Sequence, residues 1–218
     1  MVLKSRRPML SDNAPDAIDQ LSNELHHGLD KAKTLERIWG VVRFDKASVA
    51  TTTTTLLVVI LDLRLASPDI NYWIAAVLDA YTATVGFSIH DKPFKTAFLL
   101  MLTRIIKLPD STGAFIDSKC KVASCVANLI EMAGAPAAEM ILQESSLMAH
   151  LCDLVRQLHA QLGPLRALWR LVYYSPSARP VVRDVLATVD LDSFDKQVQG
   201  VLASMGPLLE PTPAPEVN

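Results

Sequence analysis

Five histidines and three cysteines are the side chains of this 218-residue chain best suited to metal binding or nucleophilic chemistry. Their spacing supports neither. His26 and His27 are adjacent, so on a helix they point about 100° apart and share neither a metal nor a proton relay. His150 and His159 lie nine residues apart, about two and a half helical turns, and read as surface or boundary positions. His90 adjoins Asp91 and has no cysteine or second histidine at ligand spacing. Cys120, Cys125 and Cys152 are odd in number and separated by five and 27 residues, which makes neither a disulfide framework nor a zinc knuckle. They read as free buried thiols of a reducing compartment. Cys120 stands between Lys119 and Lys121, which would lower a thiol pKa on a surface, but no neighbouring base would activate it. Phosphate-cradling Gly-x-x-x-x-Gly-Lys, dinucleotide Gly-x-Gly-x-x-Gly and nucleophile-elbow Gly-x-Ser-x-Gly patterns are all missing. The expectation is a protein that is not an enzyme and holds no metal or cofactor.

Composition narrows the alternatives. Half the residues are apolar and 20% are charged, against about a quarter in an ordinary soluble domain. Mean hydropathy is +0.24. Either the core is large, or apolar surface meets a partner or lipid. With 21 basic and 23 acidic residues the net charge is -2, so no nucleic-acid partner is expected and any basic surface must be local. Residues 47–61 form an uncharged run of 15, short of a membrane span. Residues 70–89 are longer but contain Asp79, which costs about 2.5 to 3.5 kcal/mol at a bilayer centre. Lys4, Arg6 and Arg7 are followed by Ser11, Asp12 and Asn13 rather than by an apolar stretch, unlike a secretory signal. The last three residues, Glu216, Val217 and Asn218, form no receptor-read address.

The elements follow from sparse punctuation. Gly28, Pro68, Gly86, Pro93, Pro109, Gly113, Gly134, Pro136, Gly163, Pro164, Pro176 and Pro180 fall where helices would stop, which predicts an all-α chain of about ten helices. Its parts are a flexible segment 1–15, one helical domain 16–206 and a proline-rich flexible tail 207–218. The strongest amphipathic pattern predicts a helix from Ser146 to about Leu162, capped by Ser145 or Ser146 and ended by Gly163. Thr51 to Ile60 is rich in β-branched residues, but no second such run exists to pair with it, so it too is assigned to helix. Leu63-Pro68-Ile74, Ile105-Pro109-Ile116, Leu129-Pro136-Met140 and Leu171-Pro176-Val182 echo one another at intervals of 42, 24 and 42. An interval near 42 resembles armadillo or HEAT repeats, which stack helix pairs into a solenoid; the 24 does not fit. The architecture expected is an amphipathic N-terminal helix followed by a helical bundle or a short solenoid-like array.

Gly28 to Phe44 is the segment that most suggests a site. At 100° per residue Ala32, Leu35, Ile38, Trp39 and Val42 share one face, with Asp30, Lys33 and Arg37 opposite and Lys31 and Arg43 at its border. On a membrane, Trp39 would sit at headgroup depth, and basic residues would meet anionic lipid at about 1 kcal/mol each. In a folded domain the same face would be core. The candidate membrane- or partner-binding residues are therefore Lys31, Lys33, Leu35, Arg37, Ile38, Trp39 and Val42. Arg156, Arg166, Arg170, Arg179 and Arg183 form a second basic series, either solvated or able to meet phosphate or acidic peptide.

Gly28-Leu29-Asp30-Lys31 at the head of that segment is similar to the Gly-Arg-Asp-Lys start of the membrane-remodelling helix of the peroxin eleven family, with Leu in place of Arg. Arg104 to Pro109, then Ser118 to Ala123 opening an apolar helix through Ile130, resembles that family's central region in order and spacing. Gly200 to Gly206 resembles its glycine-bearing C-terminal segment; the aromatic pair usual after the first motif is absent. The resemblance implies an all-α protein on the cytosolic face of the peroxisomal membrane. There the helix around Trp39 would insert shallowly into anionic lipid, and self-association would concentrate the effect on organelle number. The repeat-like echo implies instead a cytoplasmic scaffold that grips a peptide or protein partner.

Overall fold

Ser67 and Pro68 begin the helix at the centre of the molecule. Ser67 is extended, its hydroxyl accepts from the Ile70 N–H (3.3 Å), and Pro68 occupies the first turn, where its missing N–H costs nothing. The helix that follows is buried on most sides through Ile74, Ala75, Ala76, Val77, Leu78 and Tyr81, so it has to be covered by neighbours on both flanks. The computed structural model describes residues 14–44, 56–65, 67–84, 92–109, 115–157, 162–189 and 196–210. Within them the chain is helical, without strand: α1 (Ala14–His27), α2 (Lys31–Phe44), α3 (residues 56–61), α4 (Pro68–Thr82), α5 (Lys92–Ile106) and α6 (Ile116–Ala133) come first. Then follow α7 (Ala135–Gln143), α8 (Ser145–Arg156), α9 (Leu162–Tyr174), a 3-10 turn (Pro176–Ala178), α10 (Arg179–Leu186) and α11 (Lys196–Leu209).

The helices stack in two rows. In the first, α2 packs on α4, α4 on α6, α6 on α9 and α9 on α11. In the second, α5 packs on α8 and α8 on α10, and this row lies against α6, α9 and α11. One continuous apolar core runs between them from Leu21 to Met205. Helices α4, α6 and α9 run parallel. Asp79 meets Lys121 and Asn128, Thr82 meets Asn128, Glu131 meets Arg166 and Arg170, and Gly134 lies beside Tyr174. Two glycines serve this arrangement. Gly134 turns the chain from α6 into α7 at φ +64°, and a Cβ on Gly163 would lie 2.8 Å from the Cys120 carbonyl oxygen, so only glycine lets α9 come this close to α6.

Helix class and count agree with the sequence pattern, but several boundaries move. Proline accounts for most of the shifts, because several prolines read as stops are starts: Pro68, Pro136 and Pro180 sit in the first turn of α4, α7 and α10. Pro15 does the same in α1, which begins at Ala14 and so before residue 16. At the other end α11 continues through Pro207 to Leu209, past the expected boundary at 206; residues 211–218 lie outside the described residues. In place of the predicted helix from Ser146 to Leu162, α8 ends at Arg156, where Gln157 is extended (ψ 130°), and residues 158–161 lie outside the described residues. Gly163, expected to end it, lies with Pro164 in the first turn of α9. The segments that echo at 42 residues all fall at helix junctions: Leu63-Pro68-Ile74 runs from α3 into α4 and Ile105-Pro109-Ile116 from α5 into α6, as Leu129-Pro136-Met140 runs from α6 into α7 and Leu171-Pro176-Val182 from α9 into α10.

Candidate functional site

The α2 helix starts where its cap allows. Asp30 accepts from the Lys33 N–H through its carboxylate (3.1 Å) and from the Thr34 hydroxyl through its carbonyl (3.1 Å), so it is the N-cap rather than part of a charged face. The apolar stripe points inward. Leu35 and Ile38 are 0% exposed and Val42 is 2% exposed, all three within the core shared with α4. Trp39 is half-buried against Trp73 of α4, ring centroids 5.7 Å apart, with the Arg43 guanidinium 4.9 Å from the Trp39 ring. Lys33 and Arg37 face solvent, Lys31 is partly covered, and Arg37 pairs with Glu24 of α1. Of the seven candidate residues, then, only Lys31, Lys33, Arg37 and part of Trp39 can meet a partner while α2 stays docked.

The second basic series fastens helices together instead of forming a patch. Arg166 and Arg170 of α9 both pair with Glu131 of α6, at 2.6 and 2.8 Å. Arg156 pairs with Asp153 (2.8 Å) and donates to Thr188 beyond α10 (3.5 Å). Arg179 donates to the Val172 carbonyl of α9 (3.4 Å), and Arg183 to the Leu209 carbonyl that ends α11 (2.9 Å from Nε). Arg179 and Arg183 thereby bind carbonyls that a helix end would otherwise leave without a partner. Among the histidines and cysteines, His26 and His27 are exposed, and His150 Nδ1 is 2.7 Å from the Ser146 carbonyl. His90 and His159 lie outside the described residues. Cys125 and Cys152 are buried thiols whose pKa burial pushes up, while Cys120 is half-exposed; none of the three is in a disulfide.

A polar face on the parallel helices α4, α6 and α9 went unrecognised as a unit in the sequence. Asp79 is largely buried. Its carboxylate accepts from Asn128 Nδ2 (3.1 Å) and stands 3.6 Å from Lys121 Nζ. Burial raises its pKa, opposed by Lys121, Arg166 and Asn128. Glu131 goes the other way: desolvation pushes it up, but the hydrogen bonds and charges of Arg166 and Arg170 together outweigh that and hold it below the usual carboxylate range. Between α4, α6 and α9 a cleft of about 400 Å³ opens beside Lys121, walled by Tyr72, Cys120, Ser124 and Arg166. A second hollow of about 360 Å³ continues past Arg166 to Asn128 and Thr84. The only sequence signal was Asp79, a carboxylate alone in an apolar run; its partners lie more than forty residues away, beyond any local pattern. Among the described residues no helix is long and apolar enough to cross a membrane, and no cluster of three metal-ligating side chains occurs. No protein-family model, curated protein or solved structure matches the chain, so its function has to be read from its own residues.

Proposed function

We propose that this chain is a non-catalytic helical scaffold that offers the outward face of its α4–α6–α9 row to a segment of a partner protein. The observation that carries the reading is the stacking of the first row in sequence order. Its helices begin at residues 31, 68, 116, 162 and 196, at intervals of 37, 48, 46 and 34. These straddle the ~34–47 residues of helix-pair repeats, whose nearest-neighbour stacking makes long binding surfaces. The polar groups on that face alternate in sign along it: Lys121, Asp79, Arg166 and Glu131. Such a surface suits hydrogen bonding to an extended segment better than burial of an apolar one. The test is comparative co-purification from cells. Lys121→Glu with Arg166→Glu should lose partners that an Asp184→Lys variant, exposed on α10 in the second row, retains. Identical partner sets for the two variants would contradict the reading.

A second reading rests on the position of α2 at one end of the row, with Lys33, Arg37 and Arg43 exposed and Trp39 half-buried. Released from α4, the helix would present its stripe and basic border to anionic lipid, the peroxisomal membrane role that the peroxin eleven resemblance implies, with self-association concentrating it. Release would first have to expose Leu35, Ile38 and Val42, at about 1.5 to 3 kcal/mol for each such side chain. Flotation with anionic vesicles separates the readings: a scaffold stays at the bottom of the gradient, and a lipid-inserted protein rises.

A further inference from the structure

We propose that the cleft beside Lys121 is an oxyanion site that takes the phosphate group of a small phosphate monoester, whether or not a protein partner covers the same face. Four of the side chains that line it carry hydrogen-bond donors: Tyr72, Lys121, Ser124 and Arg166. Tyr72 and Ser124 have no hydrogen-bond partner among the described residues. Lys121 pairs with Asp79 at 3.6 Å, which engages one side of an ammonium group that carries three N–H donors. Arg166 spends Nη2 on Glu131 at 2.6 Å and keeps its other guanidinium N–H groups. The backbone adds to this field. Because α6 and α9 are parallel, Cys120 and Gly163, both near helix starts, wall the same cleft, and both helices turn their positive dipole ends toward it. Gly163 keeps α9 close to α6 there.

The facing acids are Asp79, Glu131 and Asp117. Asp79 is turned into the α4–α6 contact by Asn128, and Glu131 is held between two arginines. Asp117 is exposed on the cleft wall and is the acid most opposed to an anion. A phosphate group occupies a few times the ~30 Å³ share of a water molecule. The cleft's 400 Å³ leaves room for an organic remainder, which is why a monoester fits better than free phosphate.

Cys120, half-exposed on the cleft wall while the other two cysteines are buried, supplies a local reporter. The full chain is alkylated with iodoacetamide in sodium phosphate, O-phosphoserine, serine or sodium chloride at matched ionic strength, and Cys120 labelling is followed by mass spectrometry. Phosphoserine should slow labelling at least threefold, at lower concentration than inorganic phosphate, and serine should do nothing. Arg166→Gln should raise the half-protecting concentration about tenfold and Tyr72→Phe about threefold. Asp117→Asn should lower it about twofold, a gain that a merely structural role for the cleft would not give. If Arg166→Gln does not fold, Tyr72→Phe and Asp117→Asn carry the test. Equal labelling in phosphoserine and chloride overturns the proposal, as does protection by inorganic phosphate alone or protection unaltered in Asp117→Asn.

Discussion

The two basic stretches of this chain, α2 and the arginines of α8 to α10, look alike in sequence, and the fold uses them in opposite ways. In α2 the apolar stripe is the structural part, and the cations are left largely in solvent: Leu35, Ile38 and Val42 are core, Lys33 and Arg43 are exposed. In the later series the cations themselves join helices, Arg166 and Arg170 to Glu131 and Arg183 to the end of α11. The difference teaches that helical periodicity identifies a face but not what covers it. A stripe buried in a protein and one buried in lipid obey the same 100° rule.

Substitutions in the two regions should therefore divide sharply. Ile38→Ala empties a fully buried site on α2 and should cost about 2 to 5 kcal/mol in urea denaturation; a loss below about 0.5 kcal/mol would show that α2 does not pack as described. Glu131→Gln removes the carboxylate shared by two arginines. As this acid is solvent-accessible, the loss should be only about 1 kcal/mol. Its pH dependence gives the sharper readout. A carboxyl held below its unfolded pKa contributes stability that is present above the unfolded value and lost as pH falls through the folded one. Wild type and Glu131→Gln should therefore converge as the solution is acidified below about pH 4. Asp79 should behave with the opposite sign. Burial raises its pKa, so ionisation opposes folding as pH rises past the unfolded value. Asp79→Asn keeps an oxygen to accept from Asn128 and should melt at or above wild type at pH 7, with the gap closing on acidification. A marked loss of stability at pH 7 would mean that the Lys121 pairing outweighs desolvation. Smallest of all, Lys33→Glu on the solvent side of α2 should change stability by less than about 0.5 kcal/mol.

What the sequence revealed was whatever local spacing encodes. The all-α class, the approximate number of helices and the two faces of α2 follow from 3.6-residue periodicity and from sparse glycine and proline. Boundaries were less legible because proline is ambiguous: the ring that breaks a helix interior suits a first turn, and Pro15, Pro68 and Pro180 are all of that kind. Gly163 was misassigned as a helix end because its role, close approach to Cys120, depends on a helix more than forty residues earlier. The α4–α6–α9 polar face was illegible for the same reason. Asp79, Asn128 and Arg166 become neighbours only through the parallel stacking of three helices, and nothing around each residue announces the other two.

Hydrogen exchange of the full chain, with and without anionic vesicles, tests most directly whether α2 is a structural edge of the helical row. Its inner-face amides, from Leu35 to Val42, should be protected to a degree comparable with those of α4, and vesicles should leave that protection unchanged. Rapid exchange in α2 alone, slowed only when vesicles are added, would contradict a docked α2 and return its stripe to the membrane.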